Sequence, residues 1–411
     1  LVCVNTNLVA GSPVVLTGKY NTIYGCDAGE FNTDGWKNTF IGYDAGEHTS
    51  NSKAVAVGFK AGHITQGDGA VAIGYVAGEK KQGAKAVAIG FKAGQGTQGN
   101  DAIAIGTNAG NDPQHDNAIA IGHDAGEKCQ GEKAVAIGFK AGHCKQGHDS
   151  IAIGTNAGAD PQHSNAIAIG HDAGEVDQDV NTVAIGHHAG QYKQGESAIA
   201  IGYNAALNTQ SAGAIAIGTN TALNTQGSNA VAIGTNSGQN EQGVNAVSVG
   251  VNAGLNNQGM ESIAIGLNAG LNTQGNDSIA IGPNAAINSQ GTFSVAIGSN
   301  AGQNKQGDSA VSIGQNAGLG TQGTGAIAIG LNSGMSTQGN DAVAIGVNAG
   351  QNKQGNESIA IGLNAGQNTQ STDSVAIGVN AGQNSQGPDS VAVGPFTGQT
   401  AQGDHSVAIG L

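Results

Sequence analysis

Every sixteenth residue from Gly42 to Gly410 is glycine, 24 in succession with neither insertion nor deletion. Gly25 adds a degenerate copy ahead of Gly42, one position out of phase. A second column is as strict, with 22 consecutive glutamines from Gln66 to Gln402. A fixed period of this length marks a stacked architecture, in which one repeat is a small unit that buries surface only against its neighbours. The unit reads approximately A-V-A-I-G-x-N-A-G-x-N-x-Q-G-x-x. No helix of about ten to twelve residues fits between successive apolar runs. The sequence therefore predicts an all-β parallel β-solenoid of about 24 sixteen-residue rungs.

Residues 86–101, AVAIGFKAGQGTQGND, show one rung. In Ala86-Val87-Ala88-Ile89 large and small residues alternate with the period of two that marks a strand. Val and Ile point to one side and are expected to be buried, contributing roughly 1.5–3 kcal/mol each. The small Ala side suits close approach of a neighbouring sheet, within the same coil or from another chain. Glycines such as Gly58, Gly90, Gly298 and Gly410 end the strands, and the Asn and Gly that follow tolerate the left-handed backbone of tight turns. Stacked rungs place identical side chains about 4.8 Å apart. The glutamines, among them Gln66, Gln82, Gln98, Gln226, Gln306 and Gln402, are then expected to form an amide ladder from rung to rung. So is the Asn column that begins Asn204, Asn220, Asn236 and runs to Asn380.

Gly94-Gln95-Gly96-Thr97-Gln98-Gly99 spells G-x-G-x-x-G, the dinucleotide fingerprint. It recurs at Gly318–Gly323 as a by-product of the two columns, and neither copy opens a helix whose amides would hold a pyrophosphate. A uniform repeat also offers no pocket where unlike groups meet once. No catalytic or cofactor-binding residue is assigned, no cofactor is expected, and the chain is read as a non-enzyme. The net charge of −14, with no arginine, argues against a nucleic-acid partner. No run approaches the roughly 20 apolar residues of a spanning helix, so this segment is not expected to insert in a membrane.

Three regions are expected: a cap with degenerate first rungs at 1–37, charged rungs at 38–193, and Asn/Gln-rich rungs at 194–411. Residues 1–193 hold 13 of the 15 lysines and 10 of the 11 histidines. Residues 91–138 and 139–186 resemble each other as blocks of three rungs. The column after the strand glycine carries Tyr43, Phe59, Tyr75, Phe91, Phe139 and Tyr203, a candidate surface-binding stripe. His171 and His187 share a column on adjacent rungs, with Asp172 and His188 in the next column. Together they are a candidate N/O set for zinc or a related ion. Cys129 and Cys144 lie on neighbouring rungs in adjacent columns, a candidate disulfide unless their side chains point to opposite faces.

The pentapeptides Ser294-Val295-Ala296-Ile297-Gly298 and Ser374-Val375-Ala376-Ile377-Gly378, repeated in tandem over residues 38–411, resemble the head repeats of trimeric autotransporter adhesins, the YadA-like heads. The resemblance implies a left-handed parallel β-roll, three chains packed side by side, and display on a cell surface to bind host matrix or cells. The family's repeat is usually shorter; the added Gln-Gly is similar to repeats in fibre proteins of giant viruses and phages. The family's stalk and membrane anchor are not in this sequence.

The expected function is a structural attachment fibre on a cell or virion surface, self-associated as a homo-oligomer, a trimer by the resemblance, with a receptor or matrix partner of unassigned identity. Two alternatives stand beside it. One is a filament built by end-to-end stacking of solenoids. The other is an ice-binding solenoid, for which the column Thr65, Lys81, Thr97, Pro113, Cys129, Lys145 is too irregular.

Overall fold

The computed structural model describes residues 20–410. Residues 1–19, the first part of the expected cap, lie outside the described residues, as does Leu411. The chain divides into two compact units, the first ending at Leu207 and the second beginning at Asn208. Each is an all-β parallel β-solenoid. There is no helix among the described residues, and so none long and apolar enough to cross a membrane.

In the first unit the strand Val87–Ile89 pairs in parallel with Val71–Ile73 before it and Ile103–Ile105 after it. Partners always lie one repeat apart in the chain, so one repeat is one coil. Gly90 leaves the strand with φ 134°, and Lys92 and Gly94 follow in the left-handed region at φ 56° and 54°. A side chain at Gly90 would strike the carbonyl oxygen of Gly106 in the next coil; Gly58 and Gly298 face Gly74 and Gly314 in the same way. A short strand, Thr97–Gln98, then pairs with Lys81–Gln82 to build a second sheet opposite the first. Gly94 closes a turn and Gly99 leaves a strand, so the fingerprint glycines serve the coil.

The expected core is corrected. Ala86, Ala88 and Ala93 are wholly buried, whereas Val87 and Ile89 stand half-exposed on the outer face of the long-strand sheet. The two sheets of a sixteen-residue coil lie too close for Ile to meet Ile between them. The space left beside the alanine methyls is filled from the short strand by the glutamine, which is buried at every position from Gln66 to Gln386. Gln98 Nε2 donates to the Val87 carbonyl at 2.8 Å and to the Ala102 carbonyl at 3.3 Å. A third bond reaches Gln114 Oε1 at 3.1 Å. The glutamine thus ties the two sheets of its own coil together as well as bonding the next coil. A methyl at Gly94 would sit 2.9 Å from Gln98 Oε1, so the turn glycine also makes room for the amide.

The first described coils precede the glutamine column, with Asp34 and Ser50 at its positions. There Phe40, the largest wholly buried side chain among the described residues, takes the place that Ala56 holds one coil later. Thr49 Oγ1 donates to the Gly62 carbonyl at 3.0 Å. An aromatic ring thus fills the interior where the amide is missing.

The second unit repeats the plan. The strand Val295–Ile297 pairs with Ile279–Ile281 and Val311–Ile313. Ala296 and Ala301 are wholly buried. Gln306 Nε2 donates to the Val295 carbonyl at 2.7 Å and Gln402 Nε2 to the Val391 carbonyl at 2.8 Å. Outside, Asn236 Nδ2 donates to Asn252 Oδ1 at 3.0 Å, and such bonds follow without a gap to Asn380. Asn220, and Asn204 near the end of the first unit, take the same left-handed conformation, each with φ 52°.

Candidate functional site

The turns that follow the long strands carry the chemically varied side chains of the first unit, because the buried columns leave no freedom inside. In the column after the strand glycine, Tyr43, Phe59, Tyr75 and Phe91 form one stack. Successive ring centroids lie 5.4, 5.1 and 5.2 Å apart, with planes within 10° of parallel. The faces of Phe59 and Tyr75 are thus covered on both sides by neighbouring rings. What the stripe presents is ring edges, flanked by Lys60 and Lys92, whose ammonium groups lie 5.8 and 5.4 Å from the Phe59 and Phe91 centroids. Phe139 is not part of this stack; its neighbour is His123, tilted at 5.5 Å, with Lys140 at 5.4 Å. Tyr203 stacks on His187 at 5.3 Å.

The structure brings His171, His187 and His188 together, with one nitrogen of each within 4.8 Å of the others. The His171 and His187 rings are parallel at 4.9 Å, and His188 stands edge-on to His187 at 3.8 Å. Asp172 is not a fourth arm of that group. Its Oδ2 lies 2.9 Å from His171 Nδ1, and at 3.4 Å from His188 Nδ1 it makes no hydrogen bond to that ring. Crowding against the protein and then against His188 and His171 holds the His187 imidazole below its ordinary pKa. A neutral ring keeps a lone pair for an ion.

A second cluster was not singled out from the sequence. Glu47, His48 and His63 also bring three ligand atoms within 4.8 Å of one another. The signal was a sixteen-residue offset between unlike residues, Glu47 and His63, with His48 adjacent in the chain. Nearby, burial and then the Glu47 charge raise the Asp44 carboxyl above the ordinary carboxylate range.

Cys129 and Cys144 are free thiols. Cys144 lies opposite Lys128 in the strand register, one residue out of step with Cys129, and Cys129 adopts φ 57°. The candidate disulfide is therefore not formed. Cys144 Sγ instead lies 3.0 Å from His143 Nδ1, and burial, then Asp160, push its thiol pKa up rather than down.

Four segments, residues 146–173, 258–285, 274–301 and 385–411, match the YadA head domain repeat (2 copies) family. They fall in both units and share the strand–glycine–turn frame described above. No curated protein matches the chain.

Proposed function

We propose that this chain, which carries YadA head domain repeats, is a structural attachment fibre that self-associates as a homotrimer and is displayed outside the cell. A virion surface is the alternative site of display. The observation that carries the reading is the outer face of the long-strand sheets. In the first unit Ile73, Ile121, Ile153 and Ile185 are 36–38% exposed, and in the second Ile217, Ile233, Ile265 and Ile377 match them. A regular apolar face of this kind on a chain with an alanine interior favours burial against identical chains. Completing the burial of one half-exposed Val or Ile contributes on the order of 1 kcal/mol. Over many coils that sum exceeds the several kcal/mol lost on association.

In this reading the second unit is mainly a spacer, and the first carries the binding chemistry: the aromatic and lysine stripe, and the His171–His187–His188 cluster as a candidate site for a divalent transition-metal ion. No step of the function requires catalysis.

Sedimentation equilibrium of the full chain should give three times the mass of a single chain. Replacing outward isoleucines with lysine in each unit should dissociate it while circular dichroism still reports β-structure. A wild-type chain that remains a monomer at micromolar concentration would overturn the reading.

A further inference from the structure

We propose that Glu47, His48 and His63 form a second transition-metal site, a two-histidine, one-carboxylate set suited to zinc(II). Glu47 stands between the two rings, with Oε2 2.6 Å from His63 Nε2 and Oε1 3.5 Å from His48 Nε2. The His48 ring is fixed from outside by Phe31, stacked at 4.5 Å with planes 5° apart. Backbone pairing fixes the coils beneath, since the His48 amide donates to the His63 carbonyl at 2.8 Å. Glu47 and His63 are each only 16% exposed at the side chain, and His48 is 45% exposed. The cluster therefore opens to solvent on one side.

Zinc bonds nitrogen and carboxylate oxygen at about 2.0–2.2 Å, which puts tetrahedral ligand atoms about 3.4 Å apart. The two Glu47 separations bracket that value and all three ligand atoms lie within 4.8 Å of one another, so side-chain adjustments of about 1–1.5 Å bring them onto one ion. Three protein ligands leave a fourth position facing solvent, open to water or to a donor from a partner surface. His63 Nδ1 finds no partner among the described residues. An acceptor holding the ring from behind typically adds 10–100-fold in affinity, so binding here should be weaker than at a site that has one.

The same column supplies its own comparison. Glu79 and Gln95 pair at 2.7 Å, as do Glu175 and Gln191. Glu127 and His143 pair at 2.6 Å, but Lys128 stands at the position of His48. The pair across coils is therefore a structural feature of the column. What distinguishes the Glu47 coil is the third ligand, in the position where the Glu127 coil has a cation.

The test uses the full chain with His187→Tyr and His188→Asn, which copy Tyr203 and Asn204 one coil later and silence the other histidine cluster. Cobalt(II) chloride is titrated while visible d–d absorption is followed, and zinc(II) chloride is then added. One equivalent of cobalt per chain is expected, displaced by zinc. His63→Gln copies the Glu79–Gln95 pair and keeps Glu47 partnered. His48→Lys copies Lys128. Each should weaken cobalt binding at least tenfold and leave the thermal melt unchanged. Absence of a cobalt spectrum in the parent, or full-strength binding in either variant, overturns the proposal.

Discussion

The two units share a backbone and differ in where their side-chain ladders run. In the first, the internal glutamines from Gln98 to Gln194 are joined amide to amide without a break. In the second, amide bonds join Gln210 to Gln258 and Gln322 to Gln338, but the chain is interrupted between them: Oε1 of Gln274, Gln290 and Gln306 finds no partner among the described residues, as Oε1 of Gln66, Gln82 and Gln98 finds none at the start of the first. The continuous ladder there is the outer Asn column. In the first unit that outer column instead carries Lys60, Lys92, Asn108, Asp124, Asp172 and His188, in the same left-handed conformation. The coil thus depends on its buried Gly, Ala and Gln positions, while the outer turn is free to carry charge, imidazole or a plain amide. That freedom is why the candidate sites cluster in one unit and the regular polar surface in the other.

If the frame is common to both units, breaking it should hurt them equally. Gly90→Val and Gly298→Val each force a side chain onto the carbonyl of the next coil at a backbone angle suited to glycine. Each should cost more than about 3 kcal/mol and create a protease-sensitive point, read by thermal unfolding and limited digestion. A marked difference between the two would mean that the frame is not shared.

One glutamine from each unit should separate the amide ladder from the bonds to the backbone carbonyls. Gln130 donates to the Ile119 and Ala134 carbonyls and to Gln146, and accepts from Gln114. Gln306 donates to the Val295 and Ala310 carbonyls. Replacement by leucine should cost roughly 1–3 kcal/mol at either site, with Gln130→Leu about 1 kcal/mol the worse. Equal losses in denaturant titrations would assign all of the stabilisation to the bonds with the backbone carbonyls.

Asn316→Ala removes a ladder amide bonded on both sides, at φ 57°. A loss of about 1–2 kcal/mol is expected, and Asn316→Gly should recover the conformational part. Recovery of the full wild-type melting temperature with glycine would show the outer amide ladder to be energetically idle. The smallest effect concerns His187. Because its folded pKa is lowered, its contribution to stability is present above the ordinary value of 6.5 and is lost as the pH falls from there through the lower folded value. A proton-coupled NMR titration should place its midpoint below 6.5; a higher midpoint would contradict the stacked arrangement with His171 and His188.

Much of the fold is legible in the chain itself. An unbroken period in glycine and glutamine leaves room for one coil per repeat. The alternation in Val87–Ile89 identifies the long strand, and the outer position of Tyr43, Phe59 and Tyr75 follows from their place beside the strand glycine. The His171 and His187 pairing was readable because like residues fall in one column. The pairing of Glu47 with His63 was equally encoded, yet it appears only when unlike residues are compared across the offset.

What only the tertiary structure decided is which side of the strand faces inward. Alternation of Val or Ile with Ala looks the same whichever side is buried. The choice depends on the distance between the two sheets, which sixteen residues and two tight turns make short. That gap accepts methyl groups and one glutamine from the facing strand, with the amide turned to the carbonyls of Val87 and Ala102. The larger side chains are left outside, on the face proposed to meet other copies of the chain.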